Sequence, residues 1–237
     1  MIAVPAVDVS GGRCVQWVGG LPETERVSLP DPPAVAARWW RKGFGTLHVV
    51  DLDAALGRGD NRALVRELIA RTGAVTQFGG GVRDREGIEG ALAAGADRVI
   101  VGTRAVEDFA WLTRAAAAFP GQVVVAADMR DGKVLRRGWT RSSDTTIEDF
   151  LAALDDLPVA GVLCTDVARE GRVQGSDLER AGAVIRASRH PVWMSGGISG
   201  LDELRRLGRA GAAGAVLGMA LYDGTLSVEA VAREFGG

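Results

Sequence analysis

Gly79-Gly80-Gly81-Val82-Arg83, followed by Gly95 and then Val101-Gly102-Thr103, has a counterpart further along the chain. The counterpart reads Ser195-Gly196-Gly197-Ile198-Ser199, followed by Gly211 and then Leu217-Gly218-Met219. The two stretches align at an offset of 116 residues without a gap, so Gly80, Gly81, Ala94, Gly95, Ala96 and Gly102 each meet an identical residue. Self-similarity at about half the chain length predicts two copies of one plan. A glycine pair lets the backbone approach a ligand closely and leaves N–H groups to point at phosphate oxygens. The start of a following helix adds a favourable field for an anion. Gly80-Gly81 with Gly102-Thr103, and Gly196-Gly197 with Gly218, are therefore candidate phosphate sites; the alternative is that they only make tight turns. Two such sites on opposite halves predict a small-molecule substrate carrying two phosphates.

Around these loops, short apolar runs alternate with amphipathic segments of helical length. The runs are Ile2–Val9, Thr46–Leu52, Val75–Phe78, Arg98–Val101, Val123–Asp128, Gly161–Thr165, Val192–Ser195 and Ala215–Leu217. They lack polar alternation, as parallel strands buried on both faces do. Helices are expected at Pro33–Lys42, Arg62–Arg71, Arg85–Ala94, Ala110–Phe119, Ile147–Asp155, Asp177–Arg186, Leu201–Ala210 and Val228–Glu234. Asp60 or Asn61 is expected to cap the second helix and Ser176 the sixth, while Gly43, Gly73 and Gly95 follow helices where a left-handed residue is wanted. Eight strand–helix units predict an α/β fold, a (β/α)8 TIM barrel, with a doubly wound sheet as the rival. The internal repeat favours the barrel: one domain over residues 1–237, with half-barrels at about 1–119 and 120–237.

Composition narrows the function. A formal net charge of −2 gives no reason to expect a nucleic-acid or acidic-membrane partner. The two cysteines, Cys14 and Cys164, are far apart and form no metal or redox motif, which fits a reducing compartment. Met1 to Pro5 runs straight into a strand pattern, so no signal peptide is expected, and no apolar run is long enough to span a membrane. A cytoplasmic location is expected.

A barrel of this kind places its chemistry at the C-terminal ends of its strands. Asp8 and Asp128 each end the first strand of a half and each precede a glycine–basic pair, Gly12-Arg13 and Gly132-Lys133. They are expected to face each other across the mouth. Two carboxylates between two phosphate sites can serve as general base and general acid if their environments separate their pKa values. His48, inside the second strand, either points into the site or packs in the core. His190 sits at the opposite end of the barrel and is assigned a structural role. Asp51 and Asp53, without a nearby histidine, are also read as structural. Trp139 either stacks on a heterocycle or covers the core. Gly19–Asp31 is a candidate closing segment or an inert loop.

These residues together resemble a known family: the histidine-biosynthetic isomerases that act on N′-((5′-phosphoribosyl)formimino)-5-aminoimidazole-4-carboxamide ribonucleotide. The resemblance covers essentially the whole chain. It runs through Pro5-Ala6-Val7-Asp8, His48-Val49-Val50-Asp51-Leu52-Asp53-Ala54-Ala55, Gly79-Gly80-Gly81-Val82-Arg83, Gly102-Thr103 and Gly138-Trp139. It continues through Thr165-Asp166, Ser195-Gly196-Gly197-Ile198-Ser199 and Gly218-Met219-Ala220-Leu221-Tyr222. It implies a (β/α)8 barrel that performs an Amadori rearrangement, aminoaldose to aminoketose, without metal or organic cofactor. It further implies that Asp8 accepts a proton, that Asp128 donates one, and that Thr165 hydrogen-bonds the sugar hydroxyls. His48, Arg83, Trp139 and Glu170 are further candidate substrate-binding residues.

Two positions depart from the family pattern. Many relatives have Arg at the place of Gln16 and Asp at the place of Glu170. In broader-specificity relatives those positions help isomerise phosphoribosylanthranilate, and Gln16 removes a cation that could face the anthranilate carboxylate. The cyclase subunit of imidazole glycerol phosphate synthase is the nearest rival, but it has Cys-Leu-Asp where this chain has Ala6-Val7-Asp8. A non-catalytic sugar-phosphate barrel is the rival from another class; the intact Asp8 and Asp128 speak against it.

Overall fold

A computed structural model describes residues 1–136 and 141–237. Among them, eight parallel strands close into a barrel: β1 (Ile2–Ser10), β2 (Thr46–Asp51), β3 (Val75–Gly79), β4 (Arg98–Val101), β5 (Val123–Ala126), β6 (Gly161–Thr165), β7 (Val192–Ser195) and β8 (Gly214–Leu217). Closure is made by β1, which pairs in parallel with β2 on one side and with β8 on the other, Ile2 meeting Gly214 and Ala6 meeting His48. The main helices are α1 (Pro32–Arg41), α2 (Arg62–Ala70), α3 (Arg85–Ala93), α4 (Phe109–Ala118), α5 (Ile147–Leu154), α6 (Leu178–Ala187), α7 (Leu201–Ala210) and α8 (Val228–Phe235). The predicted (β/α)8 fold is the observed one.

The core has two compartments, as the strand period of two requires. Ala3, Val7 and Val9 of β1 belong to the layer between strands and helices, whereas Val4 and Ala6 face the lumen. The lumen is filled by those two with Ile100, Val124, Ala126, Leu163, Trp193 and Val216. Burying one such aliphatic side chain is worth about 2 kcal/mol, so this dry plug fixes the strand ends that carry polar residues.

Several local expectations are corrected. Asp177, not Ser176, caps α6, accepting from Arg180 N at 2.9 Å; Ser176 instead donates from its backbone N–H and Oγ to Glu203. Gly43 and Gly95 do adopt φ of 101° and 103°. Gly73 does not need a positive φ: the Trp40 ring lies 3.0 Å from where its Cβ would be, so close packing explains this glycine. Asn61 precedes α2 without capping it by its side chain, and Asp60 Oδ1 accepts from Arg62 N at 3.2 Å.

An antiparallel pair, Arg13–Gln16 with Val27–Leu29, extends the sheet beyond β1. The turn that starts it is Gly11-Gly12, with φ of 55° and 73°, the double left-handed geometry of a tight hairpin. A second antiparallel set, Met129–Arg130, Lys133–Arg136 and Arg141–Thr146, follows β5. Among the described residues no helix is long and apolar enough to cross a membrane.

Candidate active site

The lumen pattern predicts which side chains ring the mouth. Two residues beyond Ala6 stands Asp8, beyond Ala126 Asp128, beyond Leu163 Thr165, beyond Trp193 Ser195, beyond Ile100 Gly102, and beyond Val216 Gly218. Asp8, Thr165 and Ser195 are the next inward positions on their strands, while Asp128, Gly102 and Gly218 continue the count one or two residues past the strand ends. Although β5 ends at Ala126, the chain stays beside β6, since Ala127 N donates to Leu163 O at 2.8 Å. Asp8 and Asp128 thus occupy equivalent places on opposite halves.

Glu170, on the loop after β6, joins them. Burial first, and then the charges of Asp8 and Asp128, push its carboxyl up to about 7. Its Oε2 lies 3.5 Å from Ser195 Oγ. Asp8 is also pushed up to about 7, by burial, with a hydrogen bond from Gln16 acting in the opposite direction. That bond, Gln16 Nε2 to Asp8 Oδ2, is 2.9 Å long. Removing water favours the neutral form of a carboxyl, and like charges sharing one mouth add to the effect.

The two glycine loops have nearly superimposable backbones. Gly80 and Gly81 have φ of 105° and 69°; Gly196 and Gly197 have 103° and 75°. A Cβ on Gly80 would run into the backbone of Asp51, and one on Gly196 would lie 2.5 Å from the Asp166 carbonyl oxygen. Both the conformation and the close approach therefore demand glycine. The partner glycines match as well: Gly102 has φ −110° and ψ −103°, Gly218 φ −103° and ψ −110°. Each precedes a short helix, Thr103–Glu107 and Met219–Tyr222. An open cleft of about 280 Å³ follows the second loop, lined by Glu170, Ser195, Gly196, Gly197, Gly218 and Met219 among others.

The remaining candidates divide. Thr165 is buried at the end of β6, at the mouth. His48 faces the lumen beside Ala6, one inward step below Asp8; it is buried, its Nδ1 has no protein partner, and burial lowers its pKa to about 4. Packing and an inward position thus coincide for His48. Arg83 is exposed, and its guanidinium donates to the carbonyls of Ala55 at 3.1 Å and Ala54 at 3.4 Å, bracing the loop after β2. Thr103 is exposed at the start of its short helix. Trp139 lies outside the described residues.

Asp51 caps the short helix Leu52–Leu56 through Ala54 N and accepts from the backbone and side-chain N–H groups of Asn61. Asp53 accepts from Ser10 Oγ, Gly11 N and Asn61 Nδ2. These carboxylates are occupied in tying the loop after β2 to the β1 hairpin. His190 Nε2 sits 2.8 Å from Leu154 O, remote from the mouth. Cys14 and Cys164 are buried thiols; burial pushes Cys14 up to about 12 and Cys164 further in the same direction.

The residue not foreseen as part of this geometry is Gln16. The Gly11-Gly12 turn was the available signal: a two-residue hairpin returns the chain alongside β1, pairing Val15 with Asp8 and bringing Gln16 next to it. The loop after β1 also crosses the mouth, where Gly19 N donates to Glu170 O at 3.1 Å.

Comparison with known proteins identifies the family. A family model described as "Histidine biosynthesis protein" matches residues 2–227. Curated relatives named 1-(5-phosphoribosyl)-5-((5-phosphoribosylamino)methylideneamino) imidazole-4-carboxamide isomerase are similar over their full length. That of Gemmatimonas aurantiaca is 51% identical over 236 residues, covering 100% of both chains. That of Myxococcus xanthus is 49% identical over 238 residues, again covering 100% of both. That of Methanothermobacter thermautotrophicus is 40% identical over 229 residues, covering 96% of both. With its fold, its two matched glycine loops and these full-length relatives, the chain belongs to the histidine biosynthesis protein family.

Proposed function

We propose that this protein is the isomerase of L-histidine biosynthesis that acts on N′-((5′-phosphoribosyl)formimino)-5-aminoimidazole-4-carboxamide ribonucleotide. The reaction is an Amadori rearrangement, aminoaldose to aminoketose, that uses no metal and no organic cofactor. The observation that carries the reading is the placement of Asp8 and Asp128 at equivalent mouth positions, between two glycine loops of matching backbone geometry.

The substrate has a phosphate on each of two ribosyl groups, and each glycine loop takes one end. Anchoring both ends presents the scissile sugar to the carboxyls between them and converts binding into orientation. Asp128, protonated, gives its proton to the ribose ring oxygen as the C1′–O bond breaks, leaving an iminium. Ionised Asp8 then removes the C2′ proton, and the C–H electron pair becomes the C1′–C2′ double bond of an enaminol. Protonation at C1′ and loss of the C2′ hydroxyl proton complete the ketose. A base near 7 is both substantially ionised and basic enough at neutral pH. Thr165 holds sugar hydroxyls. His48, neutral because its pKa is low, can only donate or accept a hydrogen bond at that depth. The partner is a small bisphosphorylated molecule in the cytoplasm, not nucleic acid or membrane.

Turnover of the purified protein, coupled to a cyclase that consumes the product, tests this. The expected result is turnover that falls about 10³-fold or more in Asp8→Asn and in Asp128→Asn. Binding without turnover would instead identify a sugar-phosphate binding barrel. Phosphoribosylanthranilate in the same assay is expected to react poorly, because the residue beside Asp8 is the neutral Gln16.

A further inference from the structure

We propose that Gln16 is a positioning residue that orients the carboxylate of Asp8 and ties it to the glycine loop after β8. The proposal deepens the reading of Asp8 as base and rests on it. Gln16 is 3% exposed and its side chain spans two parts of the mouth. At one end Nε2 donates to Asp8 Oδ2 at 2.9 Å. At the other, Oε1 lies so close to Gly218 that a Cβ there would collide with it. The orientation of the amide follows from chemistry: an ionised carboxylate only accepts, so the NH2 end must face Asp8. The oxygen is left against the Gly218 Cα, a contact compatible with a weak C–H···O interaction.

The consequence is geometric. With one carboxylate oxygen held by Gln16, the other is the atom presented to the substrate C2′ hydrogen. Because the amide is wedged between Gly218 and Asp8, its position depends on the loop that takes one substrate phosphate. Gly218 is thus glycine for a second reason, beyond its unusual backbone: its missing side chain makes room for Gln16. The carboxamide also favours ionised Asp8 without adding a charge to the mouth, which an arginine at this place would do.

The groups around Asp8 define what a titration can report. From the loop after β6 comes Glu170, which titrates near 7 and feels Asp8, and Asp128 shares the mouth. From the hairpin comes Cys14, and from the helix after β8 comes Tyr222; burial raises both, Cys14 to about 12, so both are neutral at pH 7. His48 of β2, lowered to about 4 by burial, is neutral there too. Glu170 is therefore the group to remove from the background.

The test is the pH dependence of kcat/KM in wild type, Gln16→Met and Gln16→Glu, each also in a Glu170→Gln background. Losing the donor in Gln16→Met is expected to move the acid limb about one pH unit higher. On the acidic side that lowers kcat/KM roughly tenfold beyond the smaller, pH-independent loss expected from a carboxylate that is no longer oriented. Gln16→Glu, with the same shape and a second negative charge, is expected to move the limb further. A limb that stays in place, with or without an even loss at every pH, would overturn the proposal by showing a purely structural role. If Gln16→Met melts before assay, Gln16→Glu decides the matter by the same shift. Asp8→Asn separates the two levels: retained turnover would overturn the base assignment itself. Lost turnover with an immobile limb in the Gln16 variants would overturn only the role of Gln16.

Discussion

The glycine loop after β3 and its counterpart after β7 share a backbone but are held in different ways. Their paired φ values agree within a few degrees, and Gly102 and Gly218 have the same unusual conformation. Around the first loop, Asp51 and Asp53 bind Asn61, and Arg83 braces the carbonyls of Ala54 and Ala55. Around the second, Glu203 of α7 accepts four hydrogen bonds, from the backbone N–H and Oγ of Ser176 and of Ser199. Of the two partner glycines only Gly218, after β8, packs on Gln16, while a Cβ on Gly102 would meet only Ala126 at an ordinary 3.6 Å. In the proposed function the duplicated backbone takes the same chemical group twice. The diverged side chains distinguish one end of the mouth from the other, and only Gly218, on the β8 side, contacts the residue bonded to Asp8.

The largest effects expected are on the shared backbone. Gly80→Ala and Gly196→Ala each combine positive φ with a backbone collision, so each should cost about 3 kcal/mol or more in denaturant unfolding. Gly121→Ala, with φ 71° but open space around it, should cost only about 1 kcal/mol. Unequal losses at Gly80 and Gly196 would break the equivalence of the two loops.

Next comes the energetic cost of the mouth carboxyls. Burial raises the folded-state pKa values of Asp8 and Glu170 to about 7 from their ordinary values of 3.8 and 4.5. The folded protein therefore binds their protons more tightly than the unfolded chain does. That contribution to stability is complete below about pH 4 and is lost as pH rises through 7. Asp8→Asn should accordingly be on the order of 2 kcal/mol more stable than wild type at pH 8, with the gap closing towards pH 4. Thermal melting across that range checks it; a gap that widens at low pH would reverse the sign of the argument.

A sharper comparison uses Gly102→Ala against Gly218→Ala. The two sites have nearly the same φ and ψ, so the backbone contribution is the same in both. What remains is displacement of Gln16, expected to lower kcat/KM below the acid limb about tenfold more in Gly218→Ala. The smallest effect is at the brace: Glu203→Gln keeps two acceptor lone pairs but loses charge and half its acceptors. It should cost about 1 kcal/mol, measurable by denaturant midpoint.

The sequence made most of this architecture readable, for identifiable reasons. Parallel strands such as Val123–Ala126 are buried on both faces and so appear as unbroken apolar runs. Helix ends were harder where two cap residues are adjacent: Ser176 looked suitable, but Glu203, 27 residues away, claims it and leaves the cap to Asp177. Gly73 looked like a helix stop and is instead a packing surface for Trp40. At the mouth, the equivalent places of Asp8 and Asp128 were legible because each stands two residues past a lumen position, Ala6 and Ala126, on the first strand of its half. Gln16 was visible as a departure from a family pattern, but its bond to Asp8 was not. That bond depends on a hairpin register set by Gly11-Gly12 and on the room left by Gly218, 202 positions along the chain.

The most direct test of the paired-carboxyl account follows deuterium at C2′ of the substrate in single turnovers. Wild type should show a primary isotope effect on product formation or release the label with it. Asp8→Asn should lose the C2′ label and form product about 10³-fold more slowly. Asp128→Asn, blocked at ring opening, should retain it. Deuterium loss by Asp8→Asn at a rate within tenfold of wild type would contradict the assignment of Asp8 as the base.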